Sequence, residues 1–333
     1  MHIVNDAIAS LTSEAEYLSM LSSFAFENGM SMALWRLPDD PAHHLILSDD
    51  HHLVAKSKTL EDLPHGFIFA PFNSEKGRIF LESDLYFVFK DNRLARSETP
   101  KQEASLNWLS VQAQAFRKHP IKYRRPASAY LEKDKDHFIT MVENAIQDIG
   151  ENRFEKVVPS RFKKMDLPES FDAMQAFQKL CLTYPNTLVS FVHIPGTGTW
   201  LGASPETLVS VENGSVFKTV ALAGTKPYQA GVNIKSVAWT QKEIEEQALV
   251  ERYIISCFKK IRLREFDEHG PKTVVAGNLL HLKSDFTVDM KATNFPQLGS
   301  VMLDLLHPTS AVCGMPLDGA SKFLATNEGY DRE

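Results

Sequence analysis

The 333-residue sequence lacks any apolar run close to the roughly 20 residues that a membrane-spanning helix needs. Its N-terminus, MHIVNDAIASLTSEAEYL, has no basic region followed by an apolar stretch, so no secretory signal is predicted. Three cysteines, Cys181, Cys257 and Cys313, are too widely spaced for a disulfide framework or a zinc motif and are interpreted as core thiols. No membrane association is predicted, and the cytoplasm is the expected compartment.

The sequence also lacks an excess of positive charge. Its 36 Lys and Arg residues face 42 Asp and Glu residues, for a formal net charge of −6, whereas nucleic-acid binding normally needs a concentrated basic face. The basic run RKHPIKYRR, residues 117–125, is interpreted as solvated surface. No nucleic-acid partner is therefore predicted. An acidic protein can still bind an anionic substrate if a divalent cation and local hydrogen-bond donors offset the charge.

Two regions can be distinguished along the chain. Short apolar runs separated by polar turns predict an antiparallel sheet in the first hundred residues. The polar, proline-bearing segment Ser97–Ser128 predicts a boundary, with a short helix near Leu106–Phe116. Periodicity then predicts a mixed α/β region with helices at Lys133–Ile149 (stopped by Gly150), Ser170–Leu182 (capped by Ser170), Ala238–Lys260 and Pro296–Leu306, and strands at Phe154–Arg161, Leu188–Ile194, Trp200–Ala203, Val216–Leu222 and Thr273–Leu282.

Two residues in this second region are candidates for acid–base chemistry. Lys156 shares a face of its predicted strand with Phe154 and Val158, which is unusual for a lysine. Two interpretations stay open: the stem lies along the sheet with the ammonium in water, or the lysine serves a site. Glu206 follows the small residues of GASP, where a ligand can approach the backbone closely, although a lone glutamate there is more often a solvated turn residue.

Further polar groups recur near predicted strand ends and on one helix. Ala223, Gly224 and Thr225 end a predicted strand and can form an anion-binding nest of backbone amides. Glu243 and Glu246 lie one turn apart on a predicted helix, where two carboxylates can face one site or simply form a solvated face. A lone His281 near a strand end is more often a core histidine than a catalytic group.

These pieces occur together and in order, and that order carries a resemblance to a known family. The motifs are FEKVVPSR, GASPETL, ALAGT, EIEEQALVE, HL and LHPTSAVCGMP. From Lys133 to Glu333 the chain resembles the chorismate-utilising enzymes, which include isochorismate, salicylate, anthranilate and aminodeoxychorismate synthases. The resemblance implies an anthranilate-synthase component I-like α/β (α+β) fold of stacked antiparallel sheets with outer helices. Residues 1–128 then form a variable N-terminal region and residues 129–333 the chorismate-binding region.

The resemblance also implies a role for each candidate residue. Anthranilate-type enzymes usually carry glutamine at the position of Lys156. The lysine therefore implies that water is the nucleophile and that Lys156 is the base. Burial or nearby positive charge would have to keep its amine neutral. Glu206 matches the general acid, and Glu246 is implied as a ligand of Mg²⁺. The implied contacts of the substrate, chorismate, are Ala223, Gly224, Thr225, His281 and Thr309.

The motif LHPTSAVCG follows the isochorismate synthase pattern, LHPTPAVGG, and therefore predicts an isomerase acting in menaquinone or siderophore biosynthesis. Ser310 and Cys313 depart from that pattern, and Gln247 replaces the usual histidine after the metal glutamate. Salicylate synthase, which adds pyruvate elimination, and an inactive chorismate-binding homologue are the alternatives.

Family members continue past the position of Glu333 into a segment with a second magnesium glutamate, so the resemblance implies that this chain is truncated. The sequence does not indicate an oligomeric state.

Overall fold

The computed structural model describes residues 13–54, 59–98, 135–229, 231, 233–276, 278–330 and 332. Within these ranges the helices are α1 (Glu14–Asn28), α2 (Lys135–Gly150), α3 (Ala173–Thr183), α4 (Gln241–Lys260), α5 (Leu298–Leu306) and α6 (Leu317–Asn327). The strands are β1 (Ser31–Arg36), β2 (His43–Ser48), β3 (His51–Val54), β4 (Gly66–Phe69), β5 (Arg78–Glu82), β6 (Leu85–Lys90), β7 (Arg93–Glu98), β8 (Lys156–Val157), β9 (Leu188–Ile194), β10 (Gly198–Ser204), β11 (Ser210–Glu212), β12 (Val216–Pro227), β13 (Asp267–Ala276), β14 (Leu279–Asp289) and β15 (Gly314–Met315).

An antiparallel six-stranded sheet, in the order β10-β9-β1-β2-β6-β7, forms the first layer. Because side chains alternate across a strand, Leu34 and Phe191 face helices α1 and α3 on one side. On the other side, Ala33 and Val192 pack against the smaller sheet β3-β5-β4. This sheet is therefore buried on both faces.

A second antiparallel sheet has the order β11-β12-β14-β13. Helices α4 and α5 cover one face, where Phe258 and Met302 pack against Phe217 and Phe286. Alternate residues of β14 are buried, and the residues between them, including His281, remain partly exposed. The second sheet thus has one covered face and one that is open to a ligand.

A small unit joins the layers. The two-residue strands β8 and β15 pair with each other, and α2 and α6 pack beside them around Met141, Phe154 and Phe323. None of the helices in the described ranges has the length and hydropathy of a membrane span.

The predicted fold class, mixed α/β with antiparallel sheets and outer helices, is confirmed. The predicted boundary segment, its short helix and the basic run lie almost wholly outside the described residues, as does the division at residues 128 and 129.

Several element predictions were wrong in detail. The cap of α3 is Asp172 rather than Ser170, since its carboxylate accepts hydrogen bonds from the N–H groups of Met174 and Gln175. The single strand predicted at Thr273–Leu282 is instead a hairpin of β13 and β14. The sequence Gly277-Asn278 is a two-residue turn signal that the apolar pattern around it obscured.

Other errors concern where elements end and what they bury. The strand predicted from Phe154 is only the two residues of β8. Gly150 is the last residue of α2 rather than the residue after it, and two isoleucines at the apolar spacing of this helix, Ile146 and Ile149, are exposed, as is Ile244 of α4.

Candidate functional site

Lys156 lies on β8, where its backbone pairs with Met315 of β15. Only 14% of its side chain is exposed, and its Nζ lies 3.5 Å from Oε1 of Glu246. The ammonium therefore reaches a carboxylate on α4 rather than open solvent. Two residues separated by 90 positions in the sequence are brought together in this way.

Glu206 approaches the same point from the end of β10. Its backbone N–H donates to Oγ of Ser204 at 3.4 Å, which helps to fix the turn after the strand. Burial raises the pKa of the Glu206 carboxyl, and the positive charge of nearby Lys156 partly opposes that increase. A carboxyl group in this environment keeps its proton to higher pH than an exposed glutamate does, and it can therefore act as a proton donor.

Glu246 is the acidic group of α4 that remains available in this site, with 39% of its side chain exposed. Glu243, one turn earlier, is already used: its Oε2 accepts from the N–H of Thr240 at 2.7 Å and lies 3.5 Å from Nζ of Lys226. Thr240 and Glu243 form the capping box that begins the helix. The two carboxylates, whose one-turn spacing allowed either a shared site or a solvated face, thus have different tasks.

The donor set can be tested for Mg²⁺. In the described part of the chain, no group of three or more His, Cys, Asp or Glu residues is arranged to hold a metal ion. Mg²⁺ is usually bound by one or two protein carboxylates, with water and substrate oxygens completing its shell. Glu246 fits as one such ligand because it is a partly exposed oxygen donor at the site.

His281 faces this cluster from β14. Its Nδ1 lies 3.0 Å from the carbonyl oxygen of Gly224, which can only accept, so Nδ1 carries the proton. Burial lowers the pKa of His281, while the Gly224 hydrogen bond and the charge of Glu246 oppose that effect. In its neutral form, His281 therefore presents Nε2 as a hydrogen-bond acceptor.

The segment Ala223–Thr225 is a bulge within β12 and not the end of a strand, which corrects the prediction. Pairing with β14 shifts by one residue between Ala223 and Thr225, and Gly224 has φ +64°. Oγ1 of Thr225 lies 3.4 Å from Nδ1 of His281. Ala223 is buried in the core under α4, so only its backbone can face a ligand.

Thr309 is placed differently from the other candidates. Its Oγ1 accepts from the N–H of Ala311 at 3.2 Å, and its carbonyl oxygen accepts from Val312 and Cys313. It therefore shapes the loop that leads into β15. The structure gathers Lys156, Glu206, Glu246 and His281 at one place and leaves Thr309 as a turn residue beside the strand that pairs with Lys156.

Two further residues near the site were not singled out from the sequence as site residues. Lys226 follows the bulge directly and donates to the carbonyl oxygen of Ala238 at 2.6 Å, which ties the loop before α4 to β12. Gln247 is 1% exposed, and its Nε2 donates to the carbonyl oxygen of Ala221 at 3.2 Å and to Ser284 at 3.3 Å. Gln247 thus fixes the helix turn that carries Glu246 against the sheet.

Comparison with known proteins gives a consistent picture. A family model described as "Chorismate binding enzyme" matches residues 72–333. Isochorismate synthase EntC of Escherichia coli (strain K12) is 26% identical over 248 residues, which cover 70% of this chain and 62% of that protein. Isochorismate synthase DhbC of Bacillus subtilis (strain 168) is 26% identical over 203 residues, or 57% of this chain and 50% of that protein. The chain thus spans less than two thirds of the length of these relatives.

The structure of MenF, the menaquinone-specific isochorismate synthase from Escherichia coli, is similar with a TM-score of 0.67 at 20% identity, covering 95% of this chain and 76% of that one. At this identity the match shows the shared fold.

Proposed function

Because the chain belongs to the family of chorismate-binding enzymes, we propose that it is an isochorismate synthase, which adds water at C2 of chorismate and expels the C4 hydroxyl. The observation that carries this proposal is the convergence of Lys156 and Glu206. The two groups come from separate segments, β8 and the turn after β10, and the charge of Lys156 acts on the partly buried carboxyl of Glu206. A base and an acid at one place are what this substitution requires.

Lys156 is the proposed base. Water that attacks C2 must lose a proton, and a deprotonated lysine amine can accept it. The nearly buried side chain holds the amine in place, so that little orientational freedom is lost when the water binds.

Glu206 is the proposed acid. The departing C4 hydroxyl must gain a proton to leave as water, and the raised pKa of Glu206 keeps that proton available. One water enters and one leaves, so the product is an isomer of the substrate. After the reaction, Lys156 holds one extra proton and Glu206 lacks one, and exchange with solvent restores both.

The remaining candidate residues are proposed to bind the substrate. The amides around the Gly224 bulge and the hydroxyl of Thr225 would bind a carboxylate of the substrate, and Nε2 of neutral His281 would accept from a substrate hydroxyl. For Ala223 the contact would be through the backbone, and Thr309 would act through its loop.

Glu246 is proposed to bind Mg²⁺. When bound, Mg²⁺ would supply positive charge that offsets the carboxylates of chorismate against the net charge of −6. The proposed ligand and the proposed base are in contact in the structure, with 3.5 Å between Glu246 Oε1 and Lys156 Nζ.

The test is incubation with chorismate and Mg²⁺, with products identified by chromatography and mass detection and the intact mass of the protein recorded on the same sample. Isochorismate without pyruvate is the expected result. Salicylate with pyruvate would move the chain to the salicylate synthase branch. No product, together with saturable chorismate binding, would make it an inactive binding homologue.

A further inference from the structure

Arg332 makes hydrogen bonds that end on the two segments flanking the proposed base. Only 12% of its side chain is exposed. Its Nη2 donates to the carbonyl oxygen of Val158 at 2.6 Å, and its Nη1 donates to that of Val312 at 2.7 Å. The guanidinium also lies 4.5 Å from the ring centroid of Phe72, which limits its movement on that side.

Glu328 binds this guanidinium and also bonds to the segment that follows β8. Its carboxylate is 3% exposed and accepts from Nε of Arg332 at 2.8 Å, and its Oε1 also contacts Nη2. Oε1 further accepts from the N–H of Ser160 at 2.7 Å and from its hydroxyl at 3.0 Å. The several hydrogen bonds that each group makes fix the geometry of this ion pair, and removal of either group would leave an uncompensated charge.

The strand that carries Lys156 is short, and it is held by one other strand and by the packing of α2 and α6 around Phe154. β8 has only two residues, paired with the two residues of β15. The flanking bonds join Glu155 N–H to Met315 O at 2.7 Å and Val158 N–H to Cys313 O at 2.9 Å. Arg332 therefore bonds to both sides of this short ladder. Val158 lies one residue after the end of β8, and Val312 lies two residues before the start of β15.

We propose that Arg332, held by Glu328, is a positioning residue that fixes the two-residue ladder from which Lys156 extends. The inference rests on the role proposed for Lys156. Loss of the bridge frees the ladder to shift, and a displacement of about 1 Å at a reacting group lowers turnover on the order of 10²-fold.

Arg36 offers a matched control within the same chain. It is 4% exposed and donates to the carbonyl oxygens of Leu37, Tyr184, Pro185 and Thr187 in the six-stranded layer. Arg36→Met and Arg332→Met thus each remove a buried guanidinium bonded to backbone carbonyls, but only the second touches the Lys156 ladder.

The experiment compares wild type, Arg332→Met, Arg332→Lys and Arg36→Met as full chains, at a temperature where each is folded by circular dichroism. The first readout is kcat and KM for chorismate. The second, which needs no activity, is the extent of Lys156 acetylation by acetic anhydride, measured by peptide mass mapping. We expect Arg332→Met to lower kcat about 10²-fold with a much smaller change in KM, and to raise Lys156 acetylation several-fold as the ladder loosens.

Arg332→Lys, which keeps a charged donor, should recover part of both effects, and it replaces Arg332→Met if that variant does not fold. Arg36→Met should leave kcat and Lys156 acetylation near the wild-type values. Equal changes in the Arg36 and Arg332 variants, or no change in the latter, would overturn the inference. If wild type converts no chorismate, the proposed function fails, and acetylation still decides whether Arg332 positions Lys156.

Discussion

Polar side chains have different surroundings in the six-stranded and the four-stranded sheet. The first sheet is covered on both faces. Its buried charged groups bond to neighbouring protein groups, as the guanidinium of Arg36 does with four backbone carbonyls. In the described part of the chain, helices lie on one face of the second sheet, and its residues His281 and Thr225 are partly or fully exposed near Lys156, Glu206 and Glu246. The first layer mainly supplies stability, and it contributes Glu206 to the proposed site from the turn after its edge strand β10.

The largest expected effect is on turnover, and it tests the two groups proposed for proton transfer. Lys156→Ala and Glu206→Gln should each lower kcat by about 10² to 10⁴, because each removes one proton-transfer group. The melting temperature should change little. The matched control is Lys218→Ala, which removes a partly exposed lysine of β12 that pairs with Glu212, and which should keep full activity. A fully active Lys156 or Glu206 variant would remove that residue from the mechanism.

The second prediction concerns a core residue whose loss should change stability and leave turnover unchanged. Phe89 is fully buried in the six-stranded layer, so Phe89→Ala should lower the free energy of unfolding by about 3 to 5 kcal/mol, through lost burial and a cavity. Urea unfolding measures this change. The kcat per folded molecule should stay at the wild-type value, and a strong fall would show that the two layers are coupled.

The third prediction concerns the boundary between the layers. Gly314 has φ +150°, and a Cβ there would lie 2.2 Å from the carbonyl oxygen of Lys156 and 2.5 Å from Cβ of Ala320. Gly314→Ala should therefore destabilise the protein by about 3 kcal/mol and also reduce kcat, because it displaces the backbone of the base.

Gly150→Ala is the control for this change, since a Cβ at that helical position meets no heavy atom within 4 Å. It should leave stability unchanged or raise it by about 0.5 to 1 kcal/mol. If Gly314→Ala behaves like Gly150→Ala in unfolding and in turnover, the close approach at Lys156 is not needed.

The core and the site differ in how much could be predicted from the sequence. The amphipathic pattern of α4 identified Val250, Tyr253, Ile254 and Cys257 as buried, and alternation identified β9 to the residue. Both signals come from local burial, which periodicity reports directly. Ile146 and Ile149 follow the same pattern but are exposed, because periodicity cannot say whether a neighbouring element covers a face.

The site was less accessible to sequence reasoning. Motif order predicted Lys156, Glu206 and Glu246 as site residues, but no local pattern indicates that Nζ of Lys156 lies against Glu246, since that contact depends on how β8 docks beside α4. Arg332 was missed for the same reason. Two of its partners are the backbone carbonyls of Val158 and Val312, which leave no trace in residue type, and its i,i+4 spacing from Glu328 was the local signal that could have pointed to it.

The smallest predicted effect tests whether the buried charges of the first layer are purely structural. Burial alone would lower the pKa of His43, but interactions with Cys181 and with Glu14, whose Oε1 lies 2.5 Å from Nδ1, raise it to about 9. The folded state therefore holds this proton more tightly than the unfolded chain, where the pKa is about 6.5. The stabilisation is complete below about pH 6.5 and is lost as pH rises through about 9.

Urea unfolding at about pH 6 and about pH 10 should show this loss in wild type and a flatter pH dependence in His43→Gln, which has no proton to lose in this range. Glu14→Gln, which keeps an acceptor without the charge, should flatten it as well. Turnover of the folded protein should show no matching change in either variant, since His43 packs against Glu14 of α1 and Phe177 of α3, on the helix side of the first sheet. Parallel pH profiles of stability in wild type and His43→Gln would mean that the His43–Glu14 pair does not hold a proton. A change in turnover would mean that this pair affects the proposed site.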